Sequence, residues 1–414
     1  MPNLVRPFRL IQPPRHLAHL VASRSYISYE KSELKDKLIR NPYSYLQVIN
    51  PDTDKELDAN RGSKEYFREI RTVYDEFLKN GWLVGGDNAC YVIYRQISPA
   101  HSFTGIVALL DLPKCEEGAL LTHELTLKRR ENLFSDYLEC VGFHAEPILC
   151  ARQSNHPGEA ELNRCISEVV NSREADCDFS TTDYIRHSVW NVNPELNPTL
   201  TEALGPLNKL YLADGHHRLA SSIKLRHRHP NEPGVDRILA MILPAKELSI
   251  LGYHRQVNMY TGNLAELIVK INGLESVIKV EEISTDESRV QKQGCIDILN
   301  DGKSFRVFIE EDDTGLRTDA GWLSENVLKG ILEISDPRND PKLRYIPGNA
   351  DADLTKYSKG EITFALHPTS IDQIIAVSDA GKTLPPKSTW VEPKLRSGLF
   401  IYEFGMHPHP TKSQ

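Results

Sequence analysis

Tyr211-Leu-Ala-Asp-Gly-His-His-Arg-Leu-Ala220 is the stretch on which the fold and chemistry of this chain turn. Tyr211 to Ala213 forms a short apolar run of strand type, and Gly215 permits a tight turn. Leu219, Ala220 and Ile223 continue at helical spacing, which predicts strand, loop and helix in succession. Residues 215 to 218 then occupy a helix start, where first-turn amides and the positive end of the helix dipole favour an anion, phosphate above all. Arg218 adds a planar fork suited to phosphate, and His216 and His217 add donors or a proton carrier. The same residues admit a plainer account, in which Asp214 caps the helix at an exposed turn.

Outward from this point the pattern is mixed α/β. A helix is expected over about Ser63 to Asn80, with Phe67, Ile70, Tyr74, Phe77 and Leu78 on one face and Gly81 as its stop. Trp82 to Val84, Cys90 to Ile97 and Gly105 to Leu112 suggest three strands, the first two as a hairpin. A helix over Glu131 to Val141 and a strand at Glu146 to Cys150 follow. Residues 153 to 205 look inserted, with a strand at His187 to Val192 and a helix near Pro198 to Leu204. Beyond the central helix, Arg226-His-Arg-His-Pro suggests a polar loop before a strand over Arg237 to Leu243. Alternating patterns at Leu264 to Ile271, Ser304 to Ile309 and Asn326 to Ile331 continue as α/β. The expected regions are 1–104, a core over 105–260 and a C-terminal region over 261–414. Val5 to Pro14 is expected to be extended, as an edge strand or a laid-down arm.

Composition bounds the function. Fifty-seven acidic residues against 49 basic ones leave a formal charge of -8, which disfavours a broad basic face for nucleic acid. Apolar runs such as Ile106 to Leu112 stop far short of the roughly 20 residues that span a bilayer, so a cytoplasmic protein without membrane partners is expected. Seven cysteines without a Cys-x-x-Cys pair suggest neither a disulfide framework nor a thiolate zinc site. Cys140 and Cys150 are expected as buried small hydrophobes.

Asp214-Gly-His-His-Arg218 resembles the nucleotide-phosphate motif of the ParB/sulfiredoxin superfamily, which includes free-serine kinases. Arg6-Pro-Phe-Arg9, Asn41-Pro-Tyr-Ser44, His123-Glu-Leu-Thr126, His254-Arg255 and Pro385-Pro-Lys-Ser-Thr389, taken with it, resemble the family catalogued as domain of unknown function 1015. The resemblance implies a ParB/sulfiredoxin-like α/β core with N-terminal and C-terminal α/β elaborations. It also implies a nucleotide-dependent phosphotransferase using ADP or ATP and Mg²⁺, with free serine or phosphoserine as the small-molecule substrate, in either direction.

In the serine kinases a glutamate at the start of the first core helix is the catalytic base, so the resemblance assigns Glu124 that role. A carboxylate within reach of a hydroxyl can take its proton as it attacks phosphorus; the plainer alternative is a surface carboxylate in a helix's first turn. His123 and Thr126 flank it as substrate contacts. His217 and Arg218 would stabilise transferred charge, and Asp214 would join the catalytic group or hold Mg²⁺ beside phosphates. Lys387, Ser388 and Thr389, with Lys394 and Arg396 after them, suit phosphate oxygens, or form a polar turn. Arg6 and Arg9 are placed on one strand face, as a second anion clamp or as ordinary surface cations. Two alternatives stay open beside phosphotransfer: hydrolysis of a phosphorylated small molecule, and nucleotide-gated DNA binding of the ParB kind.

Overall fold

The computed structural model describes residues 3–51, 61–258 and most of 263–405. Residues 1–2, 52–60, 259–262, 285–289, 291, 311, 313, 349–353, 355–359 and 406–414 are outside the description. The chain forms two compact units. The first holds 1–121, 126–248 and 393–414, and the second holds 122–125 and 249–392. The sequence boundary expected near 260 falls outside the described residues.

The fold is mixed α/β. In the first unit a nine-stranded sheet runs in the order Leu120–Leu121, Leu210–Asp214, Ile148–Arg152, Arg237–Pro244, Ser102–Asp111, Val92–Ile97, Arg186–Asn191 and Cys177–Ser180, with Val5–Arg6 also on Ser102–Asp111. Leu210–Asp214 is parallel to Leu120–Leu121 and antiparallel to Ile148–Arg152. Its centre is apolar because strands covered on both faces bury every residue: Ile148 to Ala151 and Leu239 to Met241 are fully enclosed. Helices Glu159–Ser172 and Asn197–Leu204 contribute Leu162, Cys165, Val169 and Leu200 to that core.

The expected helix over 63–80 is Lys64–Lys79. Ser63 caps it by accepting from the Tyr66 amide, and its buried face carries Tyr66, Phe67, Ile70, Tyr74 and Phe77. The expected hairpin over 82–97 does not form. Val84–Cys90 pairs with Phe8–Gln12, whereas Val92–Ile97 pairs with Ser102–Asp111 and Arg186–Asn191. Only Tyr91 separates the two strands, too little chain for a hairpin turn, so the chain runs straight on and changes sheets.

Two further expectations change. Arg6 and Arg9 lie on different strands in different sheets, since the chain breaks at Pro7, which cannot donate to a ladder. The polar run at 226–229 is not wholly loop: helix His216–Arg228 extends through Arg226, His227 and Arg228. Cations in a last turn complement the helix dipole, and Arg228 pairs with Asp136 of helix Lys128–Val141 at 2.5 Å.

In the second unit six antiparallel strands stand in the order Val277–Ile283, Lys303–Ile309, Cys295–Asn300, Ile362–Leu366, Tyr253–Val257 and Leu343–Pro347. Leu267 and Ile271 of helix Leu264–Asn272 pack on it with Trp322, Leu323 and Val327. Ser249–Leu251 pairs separately with Trp390–Glu392. All seven cysteines are free; six are buried, Cys150 fully, and Cys140 is half-buried. Among the described residues no helix is long and apolar enough to cross a membrane.

The C-terminal strip of the first unit is pinned at Gly398, whose amide donates to the Ala145 carbonyl at 2.9 Å. Its φ is +77°, and a Cβ there would lie 2.3 Å from the Tyr45 ring. Gly398→Ala therefore adds backbone strain to a clash inside a packed core. It is expected to cost about 1–3 kcal/mol or more, read as a lowered denaturant midpoint; an unchanged midpoint would show that the strip is not held there.

Candidate functional site

The site is built where Leu210–Asp214 ends and His216–Arg228 begins. Gly215 joins them at φ +101°, and a Cβ there would meet Ile148 Cγ2 at 2.7 Å and the Arg218 guanidinium at 3.0–3.1 Å. Only glycine fits both demands. Gly215, which has no side chain to cap with, is also the helix N-cap. Asp214 therefore does not act as the cap; its carboxylate turns elsewhere.

Arg218 lies one helical turn on from Asp214 and bonds its Oδ2 through Nη2 at 2.9 Å. Through Nη1 it donates to the Pro147 carbonyl at 2.8 Å and meets Glu146 Oε1 at 2.5 Å. The fork expected to face phosphate is thus engaged with two carboxylates and a carbonyl. Lys394 reaches Asp214 Oδ1 at 3.5 Å, and Ser397 donates to Glu146 Oε2 at 2.9 Å. Two acidic and two basic side chains balance locally, so the pull on an anion comes chiefly from the helix start.

Burial pushes the Asp214 carboxyl up, but Lys394, Arg218 and His216 outweigh it and hold the group below the ordinary carboxylate range. Both oxygens of Asp214 face cations, an arrangement that does not suit a Mg²⁺ ligand. Among the described residues no group of three or more His, Cys, Asp or Glu side chains is placed to hold a metal. His216 is buried and His217 half-buried in the helix's first turn, where the His217 carbonyl accepts from Ser221 Oγ at 2.7 Å.

The remaining expected residues divide between the two units. His123 and Glu124 fall in the 122–125 segment of the second unit, and Thr126 in the first. Glu124 is not at a helix start: it occupies a bend, and the helix begins at Lys128 with Leu127 as N-cap. The acidic residue of that first turn is Glu131, which accepts from Thr126 Oγ1. His123 is buried, and its carbonyl accepts from the Leu384 amide at 2.7 Å. Glu124 is half-buried, and its charge is felt by Arg255 and Tyr345.

Lys387 Nζ lies 3.3 Å from the Tyr253 hydroxyl, and Ser388 Oγ donates to the Pro385 carbonyl at 2.7 Å, while Thr389 is half-buried after them. Arg9 is exposed and Arg6 half-buried beside Tyr91. Arg396 pairs with Asp183 at 2.6 Å and meets His187 Nε2 at 3.3 Å in a buried network, so its side chain is structurally committed.

Sequence reasoning missed Glu146 and the Pro147 carbonyl, and it gave Lys394 a place beside Lys387. Glu-Pro ahead of an apolar strand carried no signal of its own. What unites these residues is a sheet crossing and a returning C-terminal strip.

The model of the family described as "Protein of unknown function (DUF1015)" matches residues 5–329, and the chain belongs to that family. Among solved structures the chain is similar to SbnI with C-terminal truncation from Staphylococcus aureus. That match has 14% identity and a TM-score of 0.39, over 69% of this chain and 82% of the other. It is similar also to a free serine kinase variant in complex with ADP, at 15% identity and TM-score 0.39 over 72% and 92% of the two chains. A conserved hypothetical protein from Pyrococcus furiosus matches at 14% identity and TM-score 0.35, over 71% and 95%. No curated protein matches the chain.

Asp214 gives the site a pH signature. Its folded pKa lies below an unfolded value of about 3.9, so its contribution to stability is fully present above that value. It is lost as the pH falls through the lower, folded value. Asp214→Asn is expected to lower stability at neutral pH and to flatten the acid limb below about pH 4. Urea midpoints measured against pH would reveal it, and parallel curves for variant and wild type would remove the assigned charge balance.

Proposed function

We propose that the chain binds the phosphates of an adenine nucleotide, ADP or ATP, at Gly215 to Arg218 and transfers a phosphoryl group to or from a small hydroxyl compound. The observation that carries this is the opening of a 13-residue helix on a left-handed glycine directly after the strand Leu210–Asp214. First-turn amides so placed suit an anion, and the glycine lets a ligand approach the backbone closely. Lys394 and His216 stand close to the same turn, both acting on Asp214.

Arg218 in this proposal is a positioning residue. Its cation neutralises Asp214 and Glu146 and ties the helix start to the Pro147 carbonyl. Free serine or phosphoserine is the substrate that the resemblance drawn on the sequence suggests.

Two measurements test the proposal. Arg218→Ala takes the guanidinium away from two carboxylates near the helix start, so calorimetry should show ADP or ATP binding weakened by about 1.5–3 kcal/mol; unchanged affinity in a folded variant sinks the phosphate assignment. Incubation with serine or phosphoserine, nucleotide and Mg²⁺, followed by mass spectrometry, then tests the chemistry. Phosphoryl transfer that requires nucleotide supports it, whereas free phosphate formed without nucleotide makes the protein a hydrolase.

A further inference from the structure

The six-stranded sheet of the second unit has two edge strands, and they differ. Leu343–Pro347 is five residues long and ends in a proline, which cannot donate to a further strand. Val277–Ile283 is seven residues long, contains no proline, and pairs along one side with Lys303–Ile309. Among the described residues no strand takes its other side. The backbone donors and acceptors along such an edge are a template for another strand. A bulge between Val277 and Lys279 interrupts the ladder at one end, and the run from Lys279 to Ile283 keeps a regular register.

Charge decides which strand that edge can accept. Lys279 and Glu281 share one face of the sheet, opposite Phe308 and Arg306, and Lys279 Nζ lies 2.6 Å from Glu281 Oε2, with both side chains exposed. Charged side chains keep most strands away from an edge, but they admit one that presents the opposite charge at the facing position. A second copy of the same strand does so. A two-fold axis normal to the sheet at Val280 runs the two strands antiparallel and sets residue 279 of each against residue 281 of the other. Each Lys279 then faces a Glu281 across the axis, and with the pair inside each chain the four charges alternate. Centring on Lys279 or on Glu281 would instead oppose like charges. On the other face Val280 meets its own counterpart. Val280 stands opposite Val307 and packs against the apolar core of the unit, so the axis brings two such cores together. Helix Leu264–Asn272 packs against the same strand with Val269 71% exposed, and Ile278 at the bulge is 65% exposed. Apolar side chains so placed gain from cover by a neighbour.

We propose that this edge joins two copies of the chain, with Val277–Ile283 pairing antiparallel with itself about Val280, so that the two sheets become one continuous sheet across a two-fold dimer. Such an interface is self-complementary, because each strand offers the other the same residues in reverse order. It lies wholly in the second unit and does not depend on a nucleotide at Gly215.

Sedimentation and light scattering on the full chain, over a dilution series, test it. Wild type should be a dimer that dissociates on dilution. Lys279→Glu and Glu281→Lys each oppose like charges twice across the axis, and each should raise the dissociation constant about tenfold or more while circular dichroism stays that of wild type. An equimolar mixture of the two variants restores opposite charges at both contacts, and the double variant Lys279→Glu/Glu281→Lys restores them in reverse; both should dimerise as wild type does. Wild type that stays monomeric at about 100 µM would overturn the proposal. So would single variants that dimerise like wild type, by placing the interface elsewhere, and so would a mixture no tighter than its components, by excluding this register.

Discussion

The guanidinium of Arg218 joins three separate parts of the first unit: its own helix start through Asp214, the entry to a neighbouring strand through Glu146 and the Pro147 carbonyl, and, through those carboxylates, the returning C-terminal strip. A planar cation with five donors can serve several acceptors at once, which an ammonium cannot do in fixed directions. Gly215 is constrained by the same group, since any side chain there would strike it. The geometry of the helix start thus depends on Arg218 being where it is.

The motif residues fall into two sets, and the units explain why. Asp214 to Arg218 gathers Glu146 and Lys394 around a helix start, whereas Glu124, Arg255 and the 385–389 turn come together in the second unit. Each set has cations near carboxylates, but they differ in kind. In the first, Arg218 and Lys394 are matched by two acidic side chains; in the second, Arg255 and Lys387 are arranged on aromatic faces.

Short-range chemistry was readable wherever local rules decide the outcome. The apolar stripe of Lys64–Lys79 and the strand-glycine-helix course of 210–228 follow from spacing and side-chain type, and the structure has them. The 82–97 pairing failed because two adjacent strand-like runs do not announce whether the chain turns or runs straight on; the partners of both strands lie elsewhere in the chain. Arg6 and Arg9 failed for a related reason, a proline that sends consecutive residues to different sheets.

The sequence by itself determined that a glycine would open a helix bearing His216, His217 and Arg218, because those demands are met within one turn of chain. Tertiary structure alone decided what Arg218 faces. Glu146 is 72 residues away and Lys394 is 180 from Asp214, and contacts at such separations depend on strand order and on the path of the C-terminal strip. Periodicity records which face of an element is buried, but not which distant element covers it.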